Sequence, residues 1–489
     1  MSILVVDVGT SGVRGAVVRP DATVEHIHHL PVLPQTPFPG LVEFDGTAIA
    51  EAVVDVAARS LADGGPVAAV GIAAQRASTL VWERTSGRPL APGLGWQDLR
   101  TVGTCLELQA QGIRLAPNVS ATKLAAILDQ VDPDRRRAEA GELAFGTVDT
   151  WVAWILSEGA LHVTDATNAG VTGLVTGDLG GWNPAVLEAL RIPDALLPTI
   201  VDSSGLLGPA TALAGAPPIA GMAGDQQASL VGQGCTVPGL AKATFGTGGM
   251  LDQCTGPERP GQAARGPAGT FPIAAWRRAG ATTWGVEAIM LSAGTCVEWL
   301  RDDLGIIDDA ASSADVAAGC TDTGDVWFVP ALLGMATPVW DFGARGTLVG
   351  ITRGTGRAEV VRAVLEGVAH RGADLLEAAV ADSGLPVAAL RVDGGMSANP
   401  VFTAALADAC GIPVEISPVL EATTLGAALL AGMAVGTWSD EADVAATWSP
   451  RAVVAPRIGD AERAARRDRW LAARSRAVGT VPELSGIDF

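Results

Sequence analysis

Residues 3–6, Ile-Leu-Val-Val, form an uninterrupted apolar run. It breaks at Asp7-Val8-Gly9-Thr10-Ser11-Gly12, and a second apolar run covers 13–18. Two short apolar runs joined by a glycine-containing turn predict a β-hairpin. Residues 48–61 place apolar side chains at helical spacing, and 67–73 read as the next strand. Strands and helices then alternate to about Gly234, which predicts an α/β fold around a mixed sheet. Near Leu240 the cycle restarts. Residues 241–245 are strand-like and break at Gly246-Thr247-Gly248-Gly249. Two strand-to-Gly/Thr-turn units therefore open two related halves, although they share little sequence. Further on, 359–381 predict a long helix. Residues 390–392 form a strand entering Asp393-Gly394-Gly395, and 423–434 a helix of small residues suited to tight packing against a sheet. A helical tail follows over 459–478, carrying Arg463, Arg466, Arg467, Arg469, Arg474 and Arg476.

A length of 489 residues exceeds one ordinary core and predicts two large domains. Their expected limits are 1–238 and 239–455, with 456–489 as the tail. The 60 glycines and 30 prolines are scattered rather than periodic, which excludes a collagen-like chain. No apolar run approaches the ~20 residues that span a bilayer. The N-terminal apolar run lacks a basic flank and ends in an acid, so it reads as a strand rather than a signal peptide. The expectation is a soluble, cytoplasmic protein with no membrane partner.

Acids outnumber bases 53 to 33, for a net charge of −20, which argues against nucleic-acid binding. The same balance makes the arginine-bearing tail a solvated terminal helix, docked through Trp470 and Leu471, rather than a nucleic-acid or membrane surface. An anionic ligand would need a local cation or a metal. With only Lys123 and Lys242 as lysines, arginine must supply nearly all the positive side chains. The six cysteines include no Cys-x-x-Cys pair and no neighbouring histidine cluster, so reduced thiols are expected rather than a zinc site.

A phosphate loop needs inward-pointing N–H groups, small residues and hydroxyls. Asp7-x-Gly9-Thr10-Ser11-Gly12 offers these, with Arg14 on the following strand and Asp7 placed to hold Mg²⁺ through water. An ordinary glycine-rich hairpin turn has the same local sequence. Gly246-Thr247-Gly248-Gly249 is a second loop of the same kind. Neither carries the Gly-Lys-Ser/Thr of a Walker A motif. In Gly221-Met222-Ala223-Gly224-Asp225-Gln226-Gln227 the acid follows a glycine-rich apolar segment. There it serves either as a general base toward a hydroxyl or as a helix N-cap. Arg76 and Trp96 are further cleft candidates, which taken singly read as a surface cation and a packing residue.

Taken together, in order and spacing, these motifs resemble the FGGY family of carbohydrate kinases, nearest its glycerol kinases. The resemblance runs from the first strand to about Trp438. It is carried by Asp7-Val8-Gly9-Thr10-Ser11, Gln75-Arg76, Gly95-Trp96-Gln97-Asp98, the segments 144–151 and 162–168, and Ala223-Gly224-Asp225-Gln226-Gln227. It continues through Phe245-Gly246-Thr247-Gly248, the segment 340–346, Val392-Asp393-Gly394-Gly395 and Thr424-Leu425-Gly426-Ala427-Ala428. It implies two actin-like domains of the ribonuclease-H type with an ATP-binding cleft between them. It also implies in-line transfer of the γ-phosphoryl of Mg·ATP to a terminal hydroxyl of a small polyol or sugar. By resemblance, Asp225 is the base and Asp7 organises Mg²⁺. Thr10, Ser11, Arg14 and Thr247 contact phosphate, and Gly294, Glu298, Gly395, Met396 and Asn399 contact the nucleotide. Arg76, Trp96, Asp225 and Gln226 match the glycerol contacts. A homodimer or homotetramer accords with the resemblance.

The departures fall at the substrate. A glutamate is expected after Arg76 and Ala77 stands there. A tyrosine is expected at Asn118, and an aromatic at Met250. Loss of a hydroxyl acceptor and of bulk predicts a roomier pocket, suited to a polyol or ketose of about four or five carbons, because sites that lose a hydrogen-bond partner discriminate strongly. A ketopentose kinase and a non-catalytic actin-like nucleotide-binding module are the alternatives, and retention of Asp225 argues against the second. The segment Ala214-Gly215-Ala216-Pro217-Pro218 lacks the arginine that the resemblance associates with sugar-bisphosphate inhibition, so no inhibition by fructose 1,6-bisphosphate is expected.

Overall fold

The structure, a computed structural model, describes residues 1–261 and 264–487. Strands β1 (Ile3–Val8), β2 (Gly12–Val18) and β3 (Val24–Pro31) form an antiparallel meander. Helix α1 (Gly46–Gly64) begins at Asp45, whose carboxylate caps the N–H groups of Thr47 and Ala48, and it ends at Gly65 with φ of 77°. It leads to β4 (Ala69–Ala74), which lies parallel to β1. A lobe with its own four-stranded sheet follows, drawing its first strand (Glu43–Phe44) from before α1 and the rest, with α2 (Ser120–Val131), from the segment after β4. The chain returns through β5 (Ser204–Pro209) and β6 (Pro218–Gly224), β6 being parallel to β4 and antiparallel to β5, and enters α3 (Asp225–Gly232).

The plan then repeats. Strands β7 (Ala241–Phe245) and β8 (Gly249–Gly256) are an antiparallel hairpin. Strands β9 (Phe271–Arg278) and β10 (Ala281–Met290) extend it, β10 pairing with β8. After α4 (Gly294–Asp302) and the long α5 (Arg357–Ser383), β11 (Leu390–Asp393) lies parallel to β7, and β12 (Val414–Ile416) parallel to β11. Helix α6 (Ala422–Val435), the antiparallel edge strand β13 (Ala452–Val454) and α7 (Asp460–Arg474) complete the chain. The first half thus has three antiparallel strands and the second four, each followed by two parallel additions and an antiparallel edge, the duplication that the two Gly/Thr turns predict. The halves form one 13-stranded sheet, joined between β5 and β9 by the single pair Ser204–Arg278.

Strand β1 is buried along its whole length because α1 and α6 both pack on it. The small residues of α6 have a specific use. A Cβ on Gly426 would collide with the carbonyl of Ala228, and one on Gly232 with that of Ala422. Helices α3 and α6 therefore cross backbone to backbone, which brings the start of α6 beside the start of α3.

The tail corrects one expectation and sharpens another. Trp470 is fully buried and stacks on His370 of α5 at 5.3 Å, but Leu471, one position round the helix, is 40% exposed and takes no part in docking. Nor is the arginine face all solvated. Arg467 is buried and donates to Asp374 at 2.7 Å, joined there by Arg371 at 2.8 Å and Arg474 at 3.0 Å. Among the described residues, no helix is long and apolar enough to cross a membrane.

Candidate active site

Each half of the sheet ends its first strand in a tight turn. In the first, Gly9 N–H donates to Gly12 C=O at 3.0 Å and Val32 N–H holds Ser11 C=O at 3.1 Å, which fixes Thr10 and Ser11 at the tip. The Trp96 indole donates to Thr10 Oγ1 at 3.2 Å, bringing a candidate substrate residue onto the phosphate loop. Strand register sets Arg14 opposite Asp7. The Arg14 guanidinium lies 3.4 Å from Asp7 and 2.5 Å from Glu421, which stands at the start of α6. Burial pushes the Asp7 carboxyl up to about 6. Arg14 pulls the other way, while Asp225 and Glu421 add to the rise.

The second turn is held mainly by backbone, with the Thr295 hydroxyl adding a bond to Thr247 C=O at 3.3 Å. Gly294 N–H, at the start of α4, donates to Gly246 C=O at 2.8 Å, and Ala293 N–H donates to Thr247 C=O at 2.9 Å. Thr247 and Gly294 therefore meet, with Glu298 exposed one turn along α4. Gly394 has φ of 83° and lies against the backbone of Phe245, which seats Gly395 and Met396 beside the end of β7. Asn399 is set apart by its bonding. Its oxygen caps the helix that begins at Pro400, and its amide nitrogen donates to Ser313. Asp393 accepts from Ser229 and Gln233 of the first half, tying the two halves behind the cleft.

Between the turns lies the candidate base. Strand β6 stops at Gly224 and α3 starts at Asp225, with Asp225 Oδ1 accepting the Gln226 N–H at 2.8 Å. Its side chain is 32% exposed, so it can meet a substrate. Burial raises its pKa against the opposing pull of Arg76, whose Nε lies 3.4 Å away. Arg76 also pairs with Glu287 at 2.8 Å and reaches Met250 Sδ at 4.0 Å, while its Nη1 finds no partner among the described residues. Ala77 is buried with φ of 61°, and its carbonyl accepts from Ser120 and Thr79. Lys123, buried at the start of α2, donates to the carbonyls of Trp96 and Asn118, and this positions both. The Asn118 side chain itself is exposed.

Three charged residues in this wall were missed from sequence: Lys242, Asp252 and Glu287. Lys242 and Asp252 are fully buried and form an ion pair at 2.8 Å. The Lys242 ammonium also donates to Gln226 Oε1 at 2.7 Å and Thr244 Oγ1 at 3.1 Å. No local signal marks them: each strand also carries Thr or Gln, and a lone charge there reads as outward-facing.

Chemically the arrangement offers a partly exposed carboxylate with raised basicity and a fixed guanidinium. Loops of amides and hydroxyls for phosphate stand on both sides. Cleft acids outnumber Arg14 around Asp7, a setting that a divalent cation would relieve. Among the described residues, no three His, Cys, Asp or Glu side chains cluster as a self-sufficient metal cage.

Comparison with known proteins gives a consistent result. Residues 2–232 match the N-terminal domain, and 241–435 the C-terminal domain, of the FGGY family of carbohydrate kinases. A glycerol kinase of Aromatoleum aromaticum is 43% identical over 98% of this chain and 99% of its own length. Glycerol kinase 2 of Thermotoga maritima is 40% identical over 91% and 92%. Among solved structures, Plasmodium falciparum glycerol kinase with ADP aligns with a TM-score of 0.90 at 27% identity, covering 97% of this chain and 98% of the other. A xylulose kinase of Lactobacillus acidophilus, at 20% identity and a TM-score of 0.86, shares the fold.

Proposed function

We propose that the chain, which belongs to the FGGY family of carbohydrate kinases, transfers the γ-phosphoryl group of ATP to a terminal hydroxyl of a small linear polyol of the glycerol class. The observation that carries this is Asp225: a carboxylate open to the cleft, made more basic by burial and aimed by Arg76, between two phosphate-type turns on opposite halves. The glycerol kinases that match along the full chain support the substrate class. In the step, Asp225 takes the proton as the hydroxyl oxygen bonds to the γ-phosphorus and the bond to the β-phosphate oxygen breaks, leaving ADP. Arg76 keeps Asp225 from being neutralised too early and offers Nη1 to the polyol. The backbone of Thr10, Ser11 and Thr247 receives phosphate oxygens, with Arg14 as the cation. Asp7 fits a Mg²⁺ that arrives with ATP and keeps its waters. When bound, that ion neutralises charge on the β- and γ-phosphates. Closing the halves would expel water, which otherwise competes with the polyol for the phosphoryl group.

A second reading within the same chemistry is a polyol of four or five carbons. It is favoured by Ala77, Asn118 and Met250, which stand where larger or acceptor side chains are expected. Initial rates of ADP release with Mg·ATP across glycerol, erythritol, threitol, ribitol, xylulose and ribulose test both. Highest kcat/KM on glycerol supports the first reading, and highest on a longer polyol supports the second. Release that ignores every acceptor removes both.

A further inference from the structure

Gln226 follows the base on α3 and is half-buried, and a glutamine amide can present either its oxygen or its NH₂ to a ligand. The structure removes that choice. Lys242 is fully buried, and its ammonium has three hydrogens and three acceptors: Asp252 Oδ2 at 2.8 Å, Gln226 Oε1 at 2.7 Å and Thr244 Oγ1 at 3.1 Å. An ammonium donates and never accepts. The Gln226 oxygen must therefore face Lys242, and a flipped amide would set NH₂ against NH₃⁺ in a buried place.

We infer that Lys242 is a positioning residue that locks the Gln226 amide with its NH₂ toward the cleft, so that Gln226 recognises a substrate hydroxyl as a donor to its oxygen. This rests on the polyol-kinase reading. It gives the two neighbours on α3 opposite polarity: Asp225 accepts a hydroxyl proton and Gln226 donates to a hydroxyl oxygen. The lock also crosses the cleft. Lys242 lies on β7, the strand that runs into the Gly246–Thr247 turn, whereas Gln226 lies on the other half. Asp252 holds the ammonium from β8, so the polyol contact is set by the hairpin that carries the second phosphate loop.

The test is a double-mutant cycle in polyol kinetics. Lys242→Met with Asp252→Leu replaces the buried pair by apolar side chains of similar size, which buried pairs often tolerate. The pair variant is expected to raise the polyol KM about tenfold, the loss of one oriented hydrogen bond, with the ATP KM held within about twofold. Gln226→Ala should do the same. The three changes together should be no worse than Gln226→Ala alone, because Lys242 acts through Gln226. Gln226→Glu needs no refolding of the wall and keeps the bond to Lys242. It carries no donor, so it should lose polyol affinity as Gln226→Ala does. Additive effects in the cycle, or polyol affinity retained by Gln226→Glu, would overturn the inference while leaving the polyol-kinase reading intact. Absence of acceptor-dependent turnover in the unmutated chain would overturn both together.

Discussion

Asp7 and Asp374 are both buried carboxylates, at 7% and 1% exposure, and their surroundings move them in opposite directions. At Asp374 burial alone would favour the acid form, but Arg371, Arg474 and Arg467 outweigh it and pull the group down to about 2. At Asp7 the single cation Arg14 is itself shared with Glu421, and burial wins, so the group rises to about 6. The first cluster welds the tail to α5 and is complete. The second is short of positive charge, which a divalent cation arriving with a nucleotide would supply. Asp374 has a surplus of cations and Asp7 a deficit, the setting expected where a cationic ligand is to be received.

The largest effect should fall on the deficit side. Asp225→Asn removes the base and keeps the shape. It should lower kcat by about 10³-fold while ATP binding, followed by calorimetry, stays near that of the unmutated chain. A small loss would place the proton acceptor elsewhere.

On the surplus side, Asp374→Ala leaves three arginines around an empty centre. It should cost about 3 kcal/mol in denaturant unfolding, with the kcat of the folded fraction unchanged. The sign with pH follows from the lowered pKa. The stabilisation by Asp374 is complete above the ordinary carboxylate value near 3.8 and is lost as pH falls from there toward 2.

The opposite sign is expected at Asp7. A folded-state pKa of about 6, above the unfolded 3.8, favours the folded state below pH 3.8, and that advantage disappears as pH rises through 6. Asp7→Asn should therefore stabilise the nucleotide-free protein by about 3 kcal/mol at pH 7.5 and by little at pH 4, while crippling turnover. Stabilisation of equal size at both pH values would mean that burial strain at Asp7 is not electrostatic. Smallest of all is a null effect. Fructose 1,6-bisphosphate at millimolar concentration should leave the initial rate unchanged, since the exposed 214–216 turn carries no cation.

The contrast between the two clusters also explains what the sequence disclosed. Both strand-to-turn units were legible because a short apolar run ending in a glycine turn is a local signal, and β7 has the limits that the pattern predicts. Asp225 was legible because a glycine-rich apolar run before an acid marks a strand end. The partners of these groups were not. Thr424 reaches Asp7 from 417 positions away, and Glu421 reaches Arg14 over a similar span, through a helix crossing that only packing creates. Lys242, Asp252 and Glu287 were hidden for a related reason. A lone charge in a strand reads as an outward-facing residue until the second layer covers that face. Leu471 failed for want of a phase: the terminal helix buries only one stripe, Trp470 lies on it, and Leu471, about 100° further round, falls toward solvent.

The account stands or falls on where the phosphoryl group goes. ³¹P NMR of the reaction of ATP, Mg²⁺ and a small polyol with the purified chain reads this directly. The expected result is a new phosphomonoester resonance, split by the two protons of one CH₂, appearing in step with ADP and absent when the polyol is omitted. Inorganic phosphate as the only new signal, with or without the polyol, would contradict the assignment of Asp225 as a base for polyol phosphorylation.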